Sequence, residues 1–173
     1  MLIDEATRAE LIRLMQVDQQ IRNEILESGA SFEERGKEVI AIDSASTEYL
    51  KGVVERYGWP DSMIAGSEAS HAAFLLVQHS NDNDFQKHAL TLMTEVLDHG
   101  GIDLEDYAFL YDRVQVREGK PQKYGSQAYS DSLGVYHFYP IADSINIDAR
   151  RAEMGMMPFS DYIRLMKQVY QFE

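Results

Sequence analysis

The segment from Ser67 to His79 limits what this chain can fold into more than any other. Ala72, Ala73, Phe74, Leu75, Leu76 and Val77 follow one another without a polar break, and a helix that is apolar on every side sits inside a domain. The remaining elements must therefore wrap it. The segment closes on Gln78-His79, so the most buried element would deliver an imidazole to the point where the chain turns.

Amphipathic segments flank it. Residues 4 to 27 place Leu11, Leu14, Ile21 and Ile25 at three-four spacing, the mark of a helix that buries one stripe. Asp18 falls inside that stripe with Arg22 one turn on, which reads either as an ion-paired strut or as a carboxylate presented to an interior site. Ser28 to Ile42, with Gly29 and Gly36, reads as a loop or short helix. A second helix is expected from about Ser46 to Arg56, closed by Tyr57-Gly58-Trp59-Pro60, where Gly can take a left-handed cap and Pro cannot continue the helix. Trp59 is expected to plug the core at that corner. Asn81 to Asp84 offers N-caps for a helix running to Asp98 on Phe85, Ala89, Leu92 and Val96.

A fifth helix begins near Asp103 and turns Leu104, Tyr107, Ala108 and Tyr111 inward. From Val114 the pattern reads as period two: Val114-Gln115-Val116, a turn at Glu118-Gly119-Lys120, Gln122-Lys123-Tyr124 and on to Tyr129, then Val135 to Tyr139 after a turn at Ser130 to Gly134. A short helix through Arg150 and Arg151 stops at Gly155, and Pro158 and Ser160 open a last one striped by Tyr162, Ile163, Met166 and Tyr170. The expected fold is α+β and mainly α-helical, with a helical core over about 4–111. A small antiparallel meander of two or three strands over about 112–140 and C-terminal helices over about 146–171 complete it. At 173 residues and 45% hydrophobic content the chain can bury a core as a single domain, 1–173.

Charge and cysteine usage exclude several functions. With 29 acidic against 16 basic residues and a net charge of -13, the chain lacks the clustered Lys and Arg that phosphate backbones require, so no nucleic acid is expected. There is no cysteine, hence no disulfide, thiolate catalysis or Cys-ligated zinc. The N-terminus MLIDEATRAEL has neither a basic region nor an apolar core of a signal peptide, and no later run reaches the length of a membrane span. A soluble cytoplasmic protein with no membrane partner is expected.

Asp18-Gln19, Gly58-Trp59-Pro60, Gln78-His79, Asp112-Arg113-Val114, and Gln122 followed by Tyr124-Gly125-Ser126-Gln127 together resemble a domain-of-unknown-function family of bacterial proteins. The pattern of that family runs Asp-Gln, Gly-Trp-Pro, Gln-His-Ala-Asp, Asp-Arg-Val and Gln-x-Tyr-Gly-Thr-Gln, and the similarity spans the chain from the first helix to Arg151. Here Ser80-Asn81 stands in place of Ala-Asp, which removes an Asp after His79, and Ser126 replaces Thr while keeping the hydroxyl. The resemblance implies a bacterial origin and a choice of site residues. It implies no activity.

The strip from Leu110 to Gln127 is too polar for core and too regular for a linker, and it suggests a polar pocket between the end of the buried helix and the meander. In that pocket His79 is the candidate acid or base, because its ordinary pKa lies nearest neutrality, with Asp112 or Asp18 to orient it. Arg113 and Arg151 could clamp a carboxylate or phosphate, while Gln122, Tyr124, Ser126 and Gln127 hold a small anionic or amide-bearing ligand. No signature names a reaction. Ser126 lacks the following Gly of a nucleophile elbow, and Glu68-x-x-His71 has no matching second motif for a di-metal site. The five histidines show no HExxH or HxH pattern, and neither Walker spacing nor GxGxxG occurs, so no metal or cofactor is expected. Two other readings compete: an acidic module that occupies a basic protein partner, as small immunity proteins do, and a buried hydrogen-bond network that fixes the meander.

Overall fold

In the computed structural model, which describes residues 1–28 and 35–169, the apolar helix is central as its composition requires. This helix, α4 (Ser67–His79), packs against four others in the first of two compact units, Met1–Asp103. They are α1 (Glu5–Ser28), α2 (Gly36–Tyr57), α3 (Ser62–Ala65) and α5 (Asn83–Leu97). Ala69, Ala72, Ala73, Phe74, Leu76 and Val77 of α4 are buried, and Leu11, Ile21 and Ile25 of α1 bury the stripe read from their spacing. Trp59 is buried at the turn after α2, and Gly58 there has φ +78°, open to glycine at no steric cost. Asp82 caps α5 by accepting from the Phe85 N–H at 2.9 Å.

The second unit, Leu104–Glu173, contains α6 (Leu104–Arg117), strands β1 (Ala128–Ser130) and β2 (Tyr136–Phe138), then α7 (Ile147–Glu153) and α8 (Phe159–Val169). The strands are antiparallel, with Tyr129 opposite His137. The fold is thus mainly helical with a small sheet.

Two expectations about boundaries are corrected. Helix α2 starts at Gly36 rather than near Ser46, because Val39, Asp43, Ser46, Thr47, Leu50, Val53 and Val54 make one buried helical face that includes polar members. Helix α6 continues through Asp112-Arg113 and Val114-Gln115-Val116 to Arg117, where a strand was expected. Three residues of alternating character do not distinguish a strand from the last turn of a helix. Gln122 to Tyr124 is loop, touching Ile141 by a single parallel bridge. Of the expected loop from Ser28 to Ile42, residues 29–34 lie outside the described residues, as does Tyr170.

Candidate functional site

The structure divides the expected site residues between the two units: Asp18 and His79 lie in the first, and Asp112, Arg113, Gln122, Tyr124, Ser126, Gln127 and Arg151 in the second. Each group has its own chemistry.

In the first unit three helices meet at charge. Asp18 and Arg22 share a face of α1 because they are one turn apart, Asp43 comes from α2, and His79 ends α4. Arg22 Nη2 lies 3.0 Å from Asp18 Oδ1 and 2.7 Å from Asp43 Oδ1, so one guanidinium serves two buried carboxylates. His79 Nδ1 stands 2.9 Å from Asp18 Oδ2, and Gln19 Nε2 donates to the same oxygen at 2.8 Å. A carboxylate can only accept, so Nδ1 carries the proton and His79 is the donor. Arg22 Nε, 3.1 Å from that nitrogen, then donates to Asp18 Oδ1 at 3.2 Å instead. The Nδ1 edge of the imidazole is thus held by Asp18, and its Nε2 has no hydrogen-bond partner among the described residues.

The backbone under His79 is also held. Gln86 of α5, fully buried, donates from Nε2 to the carbonyls of Val77, Gln78 and Ser80 at 2.9, 3.2 and 3.1 Å. The end of a helix leaves carbonyls short of backbone partners; here Val77 also accepts the Ser80 N–H at 3.1 Å, and the Gln86 amide supplies a donor to all three. Asp43 and Gln86 were not foreseen from sequence. Asp43 could have been found by extending the stripe of Ser46 and Leu50 back by one turn.

Burial alone would raise the Asp18 carboxyl, but the hydrogen bond and charge of His79, with Arg22 and Gln19, hold it below its ordinary 3.8. At Asp43 burial prevails over Arg22 and the carboxyl is raised. The two act on stability in opposite directions. The ionised Asp18 stabilises the fold above pH 3.8, a contribution lost as pH falls through its depressed folded value; the contribution of neutral Asp43 is present below 3.8 and lost as pH rises through its raised value. In urea unfolding of Asp18→Asn beside the parent, the parent's advantage is expected above pH 3.8 and should narrow as the solution is made more acid. An advantage constant with pH would mean that Asp18 does not ionise against His79 and Arg22.

In the second unit the polar strip is folded inward around Asp112. That carboxylate is fully buried. Its Oδ1 accepts the N–H groups of Lys123 and Tyr124 at 2.6 and 3.1 Å, and its Oδ2 accepts those of Tyr124 and Ser126 and the Ser126 hydroxyl, at 3.1, 3.0 and 3.0 Å. Burial pushes the Asp112 carboxyl above its ordinary value, opposed by the N–H groups of Ser126, Lys123 and Tyr124. Gln122, equally buried, donates to the carbonyls of Gln127 and Tyr139, both at 2.9 Å, while its Oε1 accepts the Gln127 N–H at 2.8 Å. The Gln127 amide reaches the Ser126 hydroxyl at 3.0 Å.

Arg151 closes this knot from α7. Its Nη1 donates to the Tyr124 carbonyl at 2.7 Å and its Nε to that of Met157 at 2.6 Å, with the rings of Tyr162 and Phe159 against the guanidinium. Arg113 is half-buried on α6 and, as the immediate neighbour of Asp112, occupies another helix face. The strip therefore spends its polar atoms on its own backbone, in the manner of a buried network.

Among the described residues no group of three or more His, Cys, Asp or Glu side chains is placed to hold a metal ion, and no helix is long and apolar enough to cross a membrane. One family model matches the chain, over residues 5–173, and its description is a family of unknown function. No curated protein and no solved structure matches.

Proposed function

The chain belongs to that family of unknown function, DUF6624, and since membership supplies no activity we propose a function from the chemistry of His79: a small-ligand site in the first unit, with His79 as its acid-base group. The observation that carries this reading is the 2.9 Å contact between Asp18 Oδ2 and His79 Nδ1. A carboxylate that holds Nδ1–H leaves Nε2 to accept a proton from a ligand, and it stabilises the imidazolium that forms. The ligand is a small anionic or amide-bearing molecule, because Arg22 keeps Nη1 free of any acceptor among the described residues. Asp112, Gln122, Tyr124, Ser126, Gln127 and Arg151 enter this reading as the frame of the second unit, not as groups that touch ligand.

The test joins stability to binding. His79→Ala is expected to cost no more than about 1 kcal/mol in urea unfolding, since Arg22 and Gln19 still satisfy Asp18. Small carboxylates and amides that raise the melting temperature of the parent should leave His79→Gln unmoved. A loss near 3 kcal/mol with an unchanged m-value, and no ligand that separates the two proteins, would make His79 a strut between helices.

A second reading is favoured by the distribution of charge. The first unit contains 19 acidic and 8 basic residues, the second 10 and 8. An acidic module that occupies a basic protein would concentrate its charge in this way.

A further inference from the structure

Four acidic residues of the first unit line a groove that the His79 chemistry does not use. Ser44, Thr47, Glu48 and Lys51 share one face of α2 opposite the turn that opens α5, and with Asp82 and Asp84 they line an open groove of about 590 Å³. Lys51, Asp82 and Asp84 are shared with an adjoining hollow of about 470 Å³, lined also by Val54, Glu55, Phe85 and His88. Val54 and Phe85 are buried, so the floor is apolar, while the rim carries four carboxylates: Glu48, Glu55, Asp82 and Asp84.

An apolar floor under an acidic rim suits a side chain that is itself an aliphatic stem ending in a cation. The protein already contains one such occupant. Lys51 lays its ammonium 2.8 Å from Glu48 Oε1 and 2.8 Å from Asp82 Oδ2, and 5.8 Å from the centre of the Phe85 ring. This one lysine leaves Asp84 and Glu55, both exposed, on the rim with no ion pair among the described residues.

We propose that this groove is a docking site for a basic segment of a protein partner, one Lys or Arg side chain lying over Val54 and Phe85 with its charge against Asp84 and Glu55. The inference deepens the second reading of function and is independent of His79. The acidic excess of the whole unit steers the segment in, and the groove selects it.

The probe is a fluorescent peptide that alternates lysine and arginine with leucine, followed by anisotropy at low salt, beside a counterpart with citrulline and glutamine at the basic positions. Glu55→Gln with Asp84→Asn should weaken the basic peptide about tenfold. Glu27→Gln with Glu95→Gln removes the same charge from exposed positions outside the groove and should leave binding nearly unchanged. Circular dichroism checks that both pairs fold.

Equal weakening by the two pairs would overturn the groove while sparing the acidic-partner reading, since attraction would then be diffuse. No binding of the basic peptide by the parent would overturn both. Spermine that displaces the peptide and binds as tightly would also overturn the proposal, by making the groove a polyamine site.

Discussion

Asp112→Ala is expected to lower the unfolding free energy by about 3–5 kcal/mol, with the m-value unchanged. The carboxylate is the acceptor for three backbone N–H groups and one hydroxyl, from Lys123, Tyr124 and Ser126, in a place without access to solvent. Alanine leaves those donors buried with no acceptor, at roughly 1–3 kcal/mol for each that finds no other partner. Asparagine should recover only part of the loss, because both oxygens of Asp112 accept and an amide must turn its NH₂ toward one set of N–H groups. A loss below about 1 kcal/mol for alanine would show that the loop closes without the carboxylate.

Gly125→Ala should be nearly as damaging, at about 3 kcal/mol, for a different reason. Gly125 has φ +71°, which a side chain disfavours, and a methyl group there would meet Phe159 Cε2 at 2.7 Å and the Ile147 methyl Cδ1 at 2.9 Å. The neighbours cannot readily withdraw. Phe159 meets Phe138 edge to face with ring centres 5.1 Å apart and borders the Arg151 guanidinium, while Ile147 is buried at the start of α7. Urea unfolding measures the loss. Phe159→Leu in the same chain should restore part of it if crowding rather than backbone strain dominates, and no restoration would assign the loss to φ.

The sequence announced α4 because thirteen residues with an unbroken apolar centre admit one placement. The stripe of α1 and the cap of α5 were equally legible, each resting on spacing within one turn. The start of helix α2 is not legible, because its buried face passes through Asp43, Ser46 and Thr47 and a stripe of polar residues gives no hydrophobic period to follow. The end of helix α6 is obscured for the converse reason: Val114 and Val116 alternate by chance at its last turn. For the site, the pairing of Asp18 with Arg22 could be read from helical geometry. That His79 joins them depends on how α4 packs on α1, which no local pattern states. The glycine, serine and glutamine of Tyr124 to Gln127 look alike whether they face a ligand or a buried carboxylate, because both need donors and a left-handed turn.

The Gln86 amide has a mechanical consequence. By tying Val77, Gln78 and Ser80 to the first turn of α5, it makes the end of α4 and the start of α5 a single stiff corner. His79 sits on that corner with its imidazole held by Asp18, so its backbone is placed by α5 as well as by its own helix, as a pointer is placed by the arm to which it is riveted.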